Sequence, residues 1–276
     1  MTDTELTLKS KDGLTLIGRQ WTPATARGVV ALVHGFGEHV GRYSHVAAAL
    51  NQAGYAMLGY DLRGHGRSGG QRGFTPSYDA FLDDIDLLLG EARTRFPGKP
   101  LFLYGHSLGG NLVLFYTLRR KPQLAGVVAS APQLRLAFKP PAWKTTMGRL
   151  MFNVWPGFSM PSGLEQAALS RDPEVVRAYA ADPLVHDRVS ARLGIGLIDV
   201  GNWLLEQASE FSLPLLVYSG SADRLTSPGA CGEFAGKVRG DCTLKIWDGL
   251  YHETHNEPEK ADVLGLMVRW IQDHTR

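Results

Sequence analysis

The sequence predicts an α/β protein: a mostly parallel, doubly wound sheet with a helical segment inserted into it. Three observations carry that prediction. Short apolar runs at residues 29–33, 55–60, 101–104 and 124–130 alternate with stretches of helical period, as buried parallel strands and crossover helices do. One strand-to-helix junction holds Gly105-His106-Ser107-Leu108-Gly109, a bend that this kind of sheet supports at its carboxyl edge. The alternation stops near residue 132 and resumes at residue 213.

Each element has its own signal. Residues 5–9 and 14–21 alternate in polarity around Asp12-Gly13, which predicts a hairpin. The apolar strand 29–33 runs into His34-Gly35-Phe36-Gly37. A helix over 42–52 and a strand over 55–60 follow, and that strand opens into the glycine-rich loop Asp61-Leu62-Arg63-Gly64-His65-Gly66-Arg67-Ser68. Helix 78–96 places Phe81, Leu82, Ile85, Leu88 and Leu89 on one face. In the interruption, Pro140, Pro141, Pro156, Pro161, Pro173 and Pro183 punctuate short helices, the longest over 189–206. Strand 213–219 then ends in Gly220-Ser221-Ala222-Asp223; a helix near 228–238, strand 243–247 and helix 258–273 complete the chain. The domain division is a core of residues 1–132 and 213–276, with a helical cap, 133–212, inserted in it. Trp143, Met147, Met151, Phe152, Trp155, Phe158 and Met160 cluster at the front of the cap. They pack the cap on the core or form a greasy rim, and both can hold for different residues.

Composition narrows the function classes. With a net charge of +2, the chain gives no reason to expect a nucleic-acid partner. No apolar run approaches the roughly eighteen residues of a membrane span. The first residues are polar and lack the apolar region of a secretory leader, so the expected location is cytoplasmic. Cys231 and Cys242 are too few for a disulfide framework and are expected as free, mostly buried thiols. No Cys/His cluster has zinc spacing, so neither metal nor cofactor is expected.

The chemistry starts at Ser107. A strand that turns into a helix within one residue crowds its neighbours, and the glycines two before and two after remove the side chains that would clash. Serine needs a base, and the base needs an orienting acid. In this architecture they follow in the order serine, acid, histidine, at the carboxyl ends of strands. That order selects Asp223 and His252. His255 competes with His252 but lies farther from the strand end. Asp248 competes with Asp223 but sits in the turn before the histidine, and His274 is expected in a solvated tail. The oxyanion donors are expected to be the N–H groups of Leu108, directly after the nucleophile, and Phe36, in the loop after strand 29–33. His34 and the loop that begins at Asp61 are read as scaffolding.

Taken together, His34-Gly35-Phe36-Gly37-Glu38-His39 with Gly41-Arg42-Tyr43, Tyr60-Asp61, Gly64-His65-Gly66, Ser68, the Ser107 bend, Gly220-Ser221-Ala222-Asp223-Arg224-Leu225 and Tyr251-His252 resemble the monoacylglycerol lipases. These are α/β-hydrolases near the lysophospholipases and serine aminopeptidases. The likeness covers nearly the whole chain, including Tyr179-Ala180-Ala181-Asp182-Pro183-Leu184 in the cap. It implies an α/β-hydrolase fold and a lipid-binding tunnel in the cap. It also implies that Glu38, Arg42, Tyr179 and His255 surround the glycerol hydroxyls.

The leading expectation is a cofactor-free serine hydrolase that acts on a small lipid or ester. Transient contact with a membrane or micelle would run through the cap. A broader carboxylesterase or lysophospholipase is the alternative. A serine aminopeptidase would need an acidic pocket for a substrate amino terminus, which Glu38 could supply. A noncatalytic binding module would be marked by a lost triad member, and none is lost. Oligomeric state is not encoded in any of these signals.

Overall fold

A computed structural model describes residues 2–275. The first strands are β1 (Thr2–Lys9), β2 (Thr15–Thr22), β3 (Gly28–Val33), β4 (Tyr55–Tyr60), β5 (Leu101–His106) and β6 (Gly126–Ser130). Two three-residue strands, β7 (Ser159–Pro161) and β8 (Arg188–Ser190), form a separate antiparallel ribbon. β9 (Leu215–Gly220) and β10 (Cys242–Trp247) complete the main sheet, whose order is β1-β2-β4-β3-β5-β6-β9-β10. β2 pairs antiparallel with both β1 and β4, while every pair from β4 to β10 is parallel.

Period-two alternation sorts the strand residues between two cores. Val29, Ala31 and Val33 join Leu58, Leu103, Val127 and Val217 on one face. That face is covered by α2 (Tyr78–Arg95), α3 (Leu108–Arg120), α6 (Ala191–Gln207) and α7 (Pro228–Lys237). Val30 and Leu32 join Met57, Phe102, Tyr104, Val128, Leu216 and Tyr218 on the other, under α1 (Ser44–Gln52) and α8 (Lys260–Asp273). Burial on both faces explains why these strands read as unbroken apolar runs.

The segment between β6 and β9 carries α4 (Ala142–Val154), α5 (Pro173–Ala181), α6 and the β7–β8 ribbon. The ribbon was not expected, since strands of three residues are too short to show a period. The helix expected over 42–52 begins instead as a 3-10 turn, Val40–Tyr43, because the His39 ring accepts the Gly41 N–H and tightens the entry. His274 is not a solvated tail residue: its ring stacks on Trp270, 4.1 Å between centroids, and reaches Asp241 at 2.9 Å. The aromatic and methionine cluster divides. Trp143 and Trp155 are exposed, whereas Phe158 and Met160 line a cavity. Cys231 is buried and Cys242 half-buried, and both are free.

Candidate active site

β5 ends at His106 and α3 begins at Leu108, so Ser107 alone makes the turn. Its backbone lies at φ 55° and ψ −114°, a conformation that a residue with a side chain rarely adopts. Hydrogen bonds on both sides hold it there. The Ser107 N–H donates to the Ser130 carbonyl at 2.9 Å, and the Ser107 carbonyl accepts from the Asn111 and Gln133 N–H groups at 3.0 Å each. A Cβ at Gly105 would strike the Gly109 carbonyl, and one at Gly109 would strike the Val33 carbonyl at the end of β3. Both glycines are required by close backbone approach.

His252 follows β10, and Asp223 follows β9. Their Nδ1 and Oδ2 atoms lie 2.7 Å apart. Asp223 Oδ1 accepts from the Leu225 and Thr226 N–H groups at 2.8 and 3.0 Å, and the Thr226 hydroxyl donates to Oδ2 at 2.8 Å. Burial disfavours a charged ring at His252, but the Asp223 charge and hydrogen bond outweigh it and hold the imidazole pKa above its ordinary value. Burial also pushes Asp223 up, and the charge and hydrogen bond of His252 bring it below the usual carboxylate value. Ser107 and His252 line the same cavity. Of the competitors, Asp248 is exposed and accepts from the Ser221 hydroxyl at 3.2 Å, bracing the turn. His255 is fully enclosed; its ring stacks on Tyr43 and meets His106 edge-on at 4.8 Å between centroids.

The loop after β3 runs beside Ser107: a Cβ placed on Gly35 would lie 3.3 Å from the Ser107 Cβ. Among the described residues, neither the Phe36 nor the Leu108 N–H is taken up by an acceptor of the chain. Both can therefore serve a developing oxyanion, and the N-terminus of α3 favours negative charge there. His34 holds the loop. Its Nδ1–H donates to the Gly35 carbonyl at 2.7 Å, and its Nε2 accepts the Leu62 N–H at 2.8 Å. Burial brings its pKa down to about 4, so it stays neutral. Asp61 acts as scaffold, accepting the Val40 and Arg67 N–H groups at 2.8 Å each. Among the described residues there is no group of three or more His, Cys, Asp or Glu side chains that could hold a metal.

Two cavities meet at this point. The larger, about 460 Å³, has walls of Leu136, Phe138, Phe158, Met160, Ile195 and Ile198. The smaller, about 260 Å³, is bordered by Tyr179, Asp182, His186 and Asp187, and shares Phe36, Ser162 and Leu164 with the larger. Of the four residues that the resemblance groups around a glycerol, three are in contact: the Arg42 guanidinium lies over the Tyr179 ring, 4.8 Å from its centroid, and binds Glu38. Tyr179 borders the smaller cavity. Glu38 and Arg42 are bound to each other at 2.6 Å and border neither cavity, and nor does the enclosed His255. The physical reason is charge compensation, because Arg42 is also forked onto Glu253.

Sequence reasoning passed over Glu253, although it directly follows His252, since no spacing rule pairs it with a residue 211 positions away. It also missed how firmly residues 168–171 of the insertion grip the histidine loop. The Leu169 carbonyl accepts the Glu253 N–H at 2.8 Å, and the Arg171 side chain binds Glu257 at 2.7 Å.

The sequence pattern of the family described as serine aminopeptidase, S33, matches residues 24–259. A monoacylglycerol lipase of Mycolicibacterium smegmatis is 37% identical over 95% of this chain and 94% of its own length. An uncharacterized abhydrolase domain-containing protein of Dictyostelium discoideum is 35% identical over 99% of this chain, which spans 29% of that protein. The crystal structure of a monoacylglycerol lipase from Paleococcus ferrophilus superposes with a TM-score of 0.87 at 35% identity, covering 94% of this chain and 99% of that one.

Proposed function

Since the chain belongs to the monoacylglycerol lipases, within the serine aminopeptidase S33 family of α/β-hydrolases, we propose that it hydrolyses monoacylglycerols to glycerol and fatty acid. One observation carries the reading: Ser107, His252 and Phe36 line one apolar cavity of about 460 Å³, with Asp223 bound to His252 and the Phe36 and Leu108 N–H groups not taken up by an acceptor among the described residues. Ser107 attacks the ester carbonyl while His252 Nε2 accepts its proton. The Phe36 and Leu108 N–H groups bind the tetrahedral oxyanion. His252 then returns the proton to the departing glycerol oxygen, and water releases the fatty acid by the same steps.

The acyl chain lies in the larger cavity, and the alcohol leaves toward the smaller, polar one, where Tyr179 stands. An aminopeptidase reading has less support, because the carboxylate it would use, Glu38, already binds Gly35, Tyr43 and Arg42. The cap role follows from α4. Lys144, Thr145 and Gly148 border the cavity, while Trp143, Leu150 and Val154 stand 62%, 56% and 71% exposed. Together with Trp155, 62% exposed, they form an apolar patch suited to a lipid or micelle surface. Among the described residues no helix is long and apolar enough to cross a membrane. The free thiols fit the cytoplasm, where thiols stay reduced.

A panel of monoacylglycerols, p-nitrophenyl esters and lysophospholipids tests the substrate class, with faster turnover expected on monoacylglycerols. A fluorophosphonate probe should label Ser107, and Ser107→Ala should lower kcat by roughly 10⁴- to 10⁶-fold. An unlabelled Ser107, or retained turnover in Ser107→Ala, overturns the reading.

A further inference from the structure

Glu38, Arg42 and Glu253 form a buried, fully bonded bridge between the two loops that must cooperate. Glu38 stands three residues beyond Gly35, on the loop that carries the Phe36 N–H. Its Oε1 accepts the Gly35 N–H at 2.7 Å and the Tyr43 hydroxyl at 2.6 Å. Its Oε2 accepts from Arg42 Nη1 at 2.6 Å. The same guanidinium grips Glu253 with two parallel bonds, Nη1 to Oε1 and Nη2 to Oε2, both 2.7 Å. Asn256 donates to Glu253 Oε2 at 2.7 Å, so every carboxylate oxygen of the bridge is used. Glu253 is joined by one peptide bond to His252.

Such a bridge is a poor stability device. Two carboxylates and one guanidinium must be stripped of water, and apolar side chains of similar volume commonly serve a core as well or better. What a forked Arg–carboxylate pair supplies is direction: it fixes distance and angle together. Here it fixes the loop with one oxyanion donor relative to the loop with the base. Those loops come from residues 34–38 and 250–256; the His252 and Glu253 N–H groups run to the Ala168 and Leu169 carbonyls, the Leu250 carbonyl accepts from Ala222, and the His255 carbonyl meets the His45 ring at 2.8 Å.

We propose that Glu253, acting through Arg42 and Glu38, is a positioning residue that holds the Phe36 N–H in register with His252 across the nucleophile. The proposal rests on Ser107, His252 and the Phe36 N–H acting as described above. A misplacement of about 1 Å costs on the order of a hundredfold in rate.

The test uses the full chain carrying Glu253→Gln, Glu38→Gln, both together, and Arg42→Lys. Glu253→Gln should lower kcat by about tenfold to a hundredfold with KM changed less than about twofold. Affinity for a boronic acid that mimics the tetrahedral state should fall in proportion, while a non-hydrolysable ether analogue binds as before. The double variant should be no slower than the slower single one, since both cut the same bridge. Arg42→Lys keeps the charge but not the fork and should be as slow as Glu253→Gln. Wild-type kcat in Glu253→Gln, multiplicative losses in the double variant, or full activity in Arg42→Lys would each overturn the proposal. If Glu253→Gln does not fold, Glu38→Gln asks the same question from the other loop. Fluorophosphonate labelling of Ser107 in the unaltered protein separates the outcomes: label without a Glu253 effect defeats the bridge alone, and no label defeats the hydrolase reading beneath it.

Discussion

The reactivity proposed for Ser107 comes from its surroundings. The Ser107 φ of 55° sets the residue at the turn after β5, and His252, which lines the same cavity, carries a pKa above the ordinary histidine value once the Asp223 charge has outweighed burial. The sign of the pH effect follows. Only the neutral ring can accept the serine proton, so kcat/KM on a soluble ester should fall as pH drops through a value above that of free imidazole. Asp223→Asn removes the charge that raises the pKa, so the acid limb should move to lower pH while the rate falls by about 10⁴-fold. A pH–rate profile of both forms checks this, and a flat profile from about pH 5 to 9 with chemistry limiting excludes His252 as the base. At this scale the sequence was most readable for Ser107, because the glycine spacing around it reports a steric requirement. It was least readable for Arg42, whose type suits an alcohol pocket as well as it suits a buried ion bridge.

The β5–α3 elbow depends on neighbours that lie far away in the chain. Gly109 has no side chain because the Val33 carbonyl, on the adjacent strand β3, occupies the space that a Cβ would need. Gly109→Ala should therefore cost about 3 kcal/mol or more by overpacking against backbone. It should also slow fluorophosphonate labelling, because α3 must back away from β3 and carry the Leu108 N–H with it. Thermal unfolding and labelling rates measure the two effects. Period and turn chemistry revealed the large elements, from the hairpin around Asp12-Gly13 to α8. The β7–β8 ribbon stayed hidden because its strands are set by the insertion's packing, not by local propensity.

Across the whole molecule, the residues that follow the carboxyl ends of β5 and β10 line a cavity with the segment between β6 and β9, and α4 turns a cavity-lining side inward and an apolar side outward. Replacing Trp143, Leu150 and Val154 with serine should reduce co-sedimentation with phospholipid vesicles. Turnover of monoacylglycerol presented in vesicles should drop by at least about tenfold, since each exposed apolar side chain withdrawn into lipid is worth roughly 1–2 kcal/mol. Rates on a soluble ester should stay within about twofold. Equal losses on both substrates would remove the surface role. The amino-acid order by itself determined which residues alternate as buried strands, where the backbone must bend at Ser107, and that an acid and a histidine follow it at later strand ends. Those are local consequences of side-chain size, period and chain order. Folding alone decided that Asp223 meets His252 at 2.7 Å, that Arg42 forks onto Glu253, and that Glu38 and His255 border neither cavity. A charge is committed to whichever partner the fold brings within reach, and for Arg42 that partner lies 211 residues away.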